Sequence, residues 1–308
     1  MDISPLTYRQ VKPAAFLAAF AAFFSTSDWP ECPSYVHLMT VLSLCNTHVA
    51  DVAALAAMTG LTSLDLAGTR ALDGSSAGPD VALLAVLTGL RELNLRNTLV
   101  SDVAPLAAVT GLQKLNLGSA RRFTDVAPLA GMTGLTVLDL HDTCVVDLAP
   151  LSTLTGLREL SLHGSRVADL APLATLTGLR ELSLHDSGVN DVAPLTGMRW
   201  LKELNLSNTR VADASPLAAL TGLASLSLKG TDVTDATPLA ALVRLWVLDL
   251  ASVGITSVAP LAALTNLRCL VLTNCTRVTD AAPLATLTNL MSLRMEGAGC
   301  KKPRPVRV

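Results

Sequence analysis

GLRELSLHGSRVADLAPLATLTGLRELSLHDSGVNDVAPL, from Gly156 to Leu195, contains the octapeptide GLRELSLH twice, 22 residues apart. In each copy the leucines follow L-x-x-L-x-L, and a second shared pattern ending in D-x-A-P-L comes after them. Extending this frame in both directions puts the first Leu-type position at residues 39, 61, 90, 112, 135, 157, 179, 201, 223, 245, 267 and 290. The spacing is 22 residues, apart from two intervals of 23 and one of 29. Twelve copies at a near-constant period predict a solenoid: no unit buries its apolar face alone, and stacked neighbours share one core.

Each position of the unit has a physical reading. Alternation with period two puts the second and third Leu on the inner face of a short strand and the residues between them on the outer, solvent face. The ninth position carries a small hydroxyl in most copies (Thr47, Thr69, Thr98, Thr143, Ser165, Ser187, Thr209 and Thr231) and Cys275 in the eleventh. A hydroxyl just past the strand is expected to bond backbone groups of a neighbouring coil. The thirteenth position is Asp in ten copies, from Asp51 and Asp80 to Asp280, and Pro follows three residues later in most of them, as in Pro105 and Pro172. Asp then Pro reads as the cap and first turn of a short helical segment. Those ten carboxylates are therefore counted as structural, not catalytic.

The whole unit, L-x-x-L-x-L-x-x-T-x-V-x-D-V-A-P-L-A-x-L-T-G, resembles the leucine-rich-repeat superfamily over residues 38–298. The 22-residue length is similar to the short type seen in bacterial internalins and a phosphatase regulatory subunit. Units with Thr, Ser or Cys at the ninth position also resemble trypanosomatid leucine-rich-repeat proteins. The resemblance implies an α/β repeat solenoid: a right-handed horseshoe with a parallel sheet on the concave face and short helical or 3-10 turns on the convex one. About function it implies little, because function resides in sites grafted onto the fold.

Composition narrows the classes. Half the residues are apolar but only 3% are aromatic, so the core is aliphatic. Lys301, Lys302, Arg304 and Arg307 crowd the basic tail of residues 299–308 and leave the rest of the chain acidic, which argues against nucleic acid as a partner. The six cysteines are scattered singly, as expected of reduced thiols in a cytoplasmic protein. Residues 1–37 are expected to form a helical N-terminal cap, with Phe16, Phe20 and Phe23 at helical spacing. The run Ala14–Phe24 is too short to span a membrane, although it also fits a signal-peptide core, which would make the protein secreted. Residues 73–79 read as a projecting loop.

The outward strand positions, read as columns, hold the candidate site. Glu159, Glu181 and Glu203 form an acidic stripe, and Arg91, Arg158, Arg180, Lys202 and Arg268 a basic column. The near-neutral mixture suits protein recognition. His141, His163 and His185 form a ladder whose residues could bind a metal, sense pH or merely be copied along with the octapeptide. The expectation is a solvated surface with no metal and no cofactor. The Ser161/His163 and Ser183/His185 pairs share a face but stand about 6–7 Å apart along the strand, and no catalytic activity is assigned. Near the C-terminal end the columns turn apolar: Trp246, Val247, Cys269, Val271 and Met291, with Arg268 and Arg294 at the margin. The expected function is a non-enzymatic scaffold for a partner protein, contacted by this C-terminal patch and steered by the glutamate stripe. A secreted adhesion module and a metal- or pH-responsive binder are the alternatives. A homotypic contact at the C-terminal end, or cover by the tail, would also account for the patch.

Overall fold

The computed structural model describes residues 40–46, 48–49, 53–71 and 81–300. The expected N-terminal cap, the 73–79 loop, Asp51, Asp80 and most of the basic tail lie outside these residues.

Twelve three-residue strands, from Val41–Ser43 to Ser292–Arg294, pair in parallel and in chain order into one open sheet. Register follows the sequence frame: Glu159 pairs with Glu181, and Glu181 with Glu203. The irregular intervals appear as pairings of Ser63 with Glu92, Lys114 with Val137 and Cys269 with Ser292. A second, two-stranded parallel ladder joins His48–Val49 to Arg70–Ala71.

Between strands run 3-10 turns, such as Ala104–Ala108 and Ala171–Thr175, most with Pro in the first two positions. The aspartates act one residue earlier than a formal cap. Asp102 Oδ1 accepts the Ala104 N–H at 2.7 Å, and Asp125, Asp147, Asp169 and Asp191 do likewise at 2.8 Å. Each is thus a local Asx turn that aims the chain into the helical segment. Where the acceptor sits beside a hydroxyl, as Asp213 does with Ser215 and Asp235 with Thr237, that hydrogen bond holds the carboxyl below its usual range.

Aliphatic side chains from every coil merge into one core running from Leu42 to Met295. Phe123 is fully buried within it. The hydroxyls of the ninth position work differently from expectation. Thr98, Thr143, Ser165 and Thr209 donate to the carbonyl three residues back in their own coil, at 2.5–2.7 Å. Among the described residues of this column, a longer reach crosses coils at Cys275, whose Sγ contacts the Leu250 carbonyl at 3.0 Å. A three-residue loop is closed more readily by a short side chain than a gap between coils.

The eighth position carries a device the sequence reading missed. In all twelve coils it adopts positive φ, between 51° at Asp142 and 71° at Gly297. Its occupants are Asn, Gly, Ser and Asp, small or locally hydrogen-bonding residues that enter the left-handed region at least cost. The chain reverses here from strand to convex turn. Asp142 and Asp186 are therefore at these positions for backbone reasons, whatever else they do.

Candidate functional site

The histidine column is a built object. His141 and His163 stack with ring centroids 4.7 Å apart, and His163 and His185 at 4.2 Å. His141 is only 5% exposed, which corrects its reading as a solvated surface residue. The cause lies one coil back, at Gly118. A Cβ there would overlap the imidazole, so the missing side chain makes room for the ring.

Each histidine is oriented by the fifth-position residue of its own strand. Asp139 Oδ1 lies 2.7 Å from His141 Nδ1, and the Ser161 and Ser183 hydroxyls lie 2.9 Å from Nδ1 of His163 and His185. The 6–7 Å separation expected from strand rise holds for the backbone, but side-chain rotation closes it. Asn205 Nδ2 reaches His185 Nδ1 at 3.2 Å, and Ser119 Oγ reaches His141 Nε2 at 3.3 Å. Burial, then the charges His185 and His141 can carry, push the His163 pKa down.

Beside the histidines runs a shallow acidic trough of about 390 Å³, lined by Asp139, Glu159, Glu181, Glu203, Ser183 and Asn205, among others. The three glutamates occupy register-matched positions on adjacent strands, about 4.8 Å apart in the ladder direction. Burial raises the Glu181 pKa, and Glu159 and Glu203 raise it further. Between the unfolded and folded pKa values, the native chain thus binds more protons at Glu181 than the unfolded chain does. Stability from this group is therefore present below its ordinary value of 4.5 and lost as pH rises through the folded pKa. Glu181→Gln should leave the melting temperature unchanged near pH 4 and raise it slightly at pH 7. The gain should stay under about 0.5 kcal/mol, because the group is largely solvated. Thermal melts at the two pH values measure it.

The basic column belongs to the rim more than to the open face. Arg91 and Arg158 each donate Nη1 to the carbonyl of a turn glycine in the next coil, Gly111 at 2.9 Å and Gly178 at 2.8 Å. Lys202 reaches the Gly222 carbonyl at 3.2 Å. These hydrogen bonds keep the full charge of each cation but hold it toward the glycine turns at the edge of the face. Lys114, which lies in the glutamate column, pairs with its register partner Glu92 at 2.8 Å.

At the C-terminal end Trp246, Arg268 and Met291 meet around an open groove of about 720 Å³, with Asn266, Thr288, Asn289 and Leu290. Trp246 is 53% exposed, Met291 83%, and the Arg268 guanidinium lies 5.1 Å from the Trp246 ring centroid. Val247 and Cys269 are register partners next to it, while Val271 pairs between Asp249 and the exposed Arg294. Sequence reasoning missed Trp200, 68% exposed. Its signal was a tryptophan in the turn position where most copies have glycine.

No protein-family model and no curated protein matches the sequence. Solved structures do. An internalin from Listeria monocytogenes is 29% identical, aligning over 98% of this chain and 95% of its own with a TM-score of 0.80. Internalin C2 from the same species is 32% identical, over 62% of this chain and 81% of its own, with a TM-score of 0.58. The chain belongs to the leucine-rich-repeat superfamily. A leucine-rich-repeat protein of Leptospira interrogans shares the fold at 18% identity, with a TM-score of 0.71 over 83% of this chain and 72% of its own. The likeness to trypanosomatid repeats rests on the repeat pattern alone. In this leucine-rich-repeat chain the acidic trough and the histidine stack occupy the outward sheet face, and the Trp246 groove lies toward its C-terminal end. No helix among the described residues is long and apolar enough to cross a membrane.

Proposed function

We propose that this leucine-rich-repeat protein is a non-enzymatic scaffold that holds a partner protein on its open sheet face. The observation that carries the reading is the exposed Trp246, its ring braced by Arg268, beside the almost fully exposed Met291. Tryptophan and arginine dominate interface hot spots, and a side chain already held in place loses little entropy on docking. The acidic trough supports the same reading, since three like charges kept side by side on one face favour a basic partner surface. From Glu181 to Val247 is three strands, or about 14 Å, so one partner can engage both regions.

Catalysis is not part of the proposal. Ser161 and Ser183 have their histidines in hydrogen-bonding range, yet acyl transfer also needs donors for a developing oxyanion. The nearby N–H groups of Leu162, Gly164, Leu184 and Asp186 are engaged with carbonyls of the next strand. Cytoplasmic residence belongs to the proposal too, on the singly scattered thiols; N-terminal sequencing of native protein that begins near Ser27 would point instead to a secreted adhesion module.

The test compares Trp246→Ala with the triple Glu159, Glu181, Glu203→Ala variant, each first shown to keep its melting temperature. Trp246→Ala should weaken partner capture by tenfold or more, in line with a hot-spot cost of about 2 kcal/mol. The glutamate variant should mainly slow association and blunt its salt dependence. Full retention with Trp246→Ala would move the contact away from the groove.

A further inference from the structure

The duplicated octapeptide accounts for His163 and His185. It does not account for His141, which stands in a coil of different sequence, LTVLDLHD, where Asp139 and Asp142 hold the fifth and eighth positions that also serve the backbone. Nor does it account for Gly118, without which His141 would not fit. One ligand atom each from His141, Asp142 and His163 lies within 4.8 Å of the other two. We infer that these three residues form a binding site for a first-row divalent transition ion of the zinc class. It lies apart from the groove around Trp246 and does not depend on the scaffold reading.

The donor chemistry fits that class. Two imidazoles and one carboxylate suit zinc, copper or nickel better than the all-oxygen shells of magnesium or calcium. The hydrogen bonding fits it as well. A carboxylate on the far nitrogen of an imidazole fixes the orientation of the ring, as Asp139 does at 2.7 Å from the buried His141. Ser161 holds His163 by the same nitrogen, Nδ1. Both rings then have Nε2 available for metal, and the nearest competitor is the rotatable Ser119 hydroxyl, 3.3 Å from His141 Nε2.

Bonds of about 2.1 Å at tetrahedral angles need donors roughly 3.4 Å apart, so the cluster must close by on the order of 1 Å. His141 is the anchored member. Asp142 is exposed and His163 half-buried, so both can move through side-chain torsions, and His163 must also turn out of its near-parallel stack for its lone pair to converge with that of His141. Three protein ligands leave a fourth position for water or for a donor from another molecule. Asp139 also accepts the His141 backbone N–H at 3.1 Å, as fifth-position residues do in other coils, but a solvated copy of a repeat would not need the glycine beneath His141.

The experiment is titration calorimetry of the full chain with zinc chloride under reducing conditions. Two variants borrow residues already present at the same repeat positions. Asp142→Asn follows Asn97 and Asn208 at the eighth, and His163→Ser follows Ser207 at the seventh. Both should therefore melt as the wild type does without metal. The expected result is one zinc per chain in the micromolar range, weakened at least tenfold by either substitution and unaffected by Cys300→Ser. No one-to-one binding up to about millimolar zinc would overturn the site, as would unchanged affinity in either variant.

Discussion

Leu182→Ala is expected to lower the unfolding free energy by about 2–5 kcal/mol, while Glu181→Ala, one residue away, should change it by less than about 0.5 kcal/mol. Leu182 is buried between the ladder partners Leu160 and Leu204. Removing three carbons there leaves a void that two rigid coils cannot close, because their backbones are tied by ladder hydrogen bonds on both sides. Glu181 points the other way, into water and toward two like charges. Urea unfolding of the two variants measures the contrast. Equal shifts in midpoint would mean that the strand alternation is assigned to the wrong face. Because coupling in a solenoid runs mainly between neighbouring coils, the leucine variant should also broaden the transition by loosening the array at its middle.

Gly164→Val is expected to cost about 2–3 kcal/mol, and Gly164→Asn less than about 1 kcal/mol. Gly164 holds φ at 65°, and the Asp142 carboxylate occupies the space above its Cα. Valine pays twice, for a left-handed backbone forbidden to branched side chains and for the collision. Asparagine tolerates the backbone, and the carboxylate is the far end of a side chain that can turn aside. The next coils already show that solution: Asn208 follows Asp186 at the same position and donates to it at 2.9 Å. Thermal unfolding of both variants separates backbone strain from crowding. Equal losses would mean that crowding decides the position.

What the sequence made legible follows the number of residues needed to see it. The core needs only the recurrence of leucine along one chain, so fold class, strand register and the three irregular intervals could be read directly. The glutamate stripe was legible for the same reason. His141 was not, because its burial depends on Gly118, a relation between two coils rather than within one. The Arg91 and Arg158 side chains misled in a similar way, since their partners are carbonyls 20 residues ahead. The Ser161–His163 contact was hidden by treating strand rise as side-chain distance. The eighth position could have been found from its column of Asn, Gly, Ser and Asp, but a column matters only once one asks which backbone it permits.

The two identical octapeptides have a genetic consequence. Recombination between the DNA encoding Gly156–His163 and Gly178–His185 would delete or add 22 residues and leave every local sequence at the junction unchanged. The frame would reseal with Leu138 facing a leucine as before. Arc length would change by one strand spacing, about 4.8 Å, and the histidine stack would lose or gain one ring. Both the reach of the sheet face and the number of imidazoles on it are thus variable by a single crossover. The pair His141–Asp142 lies outside the exchanged segment and would persist through each such event.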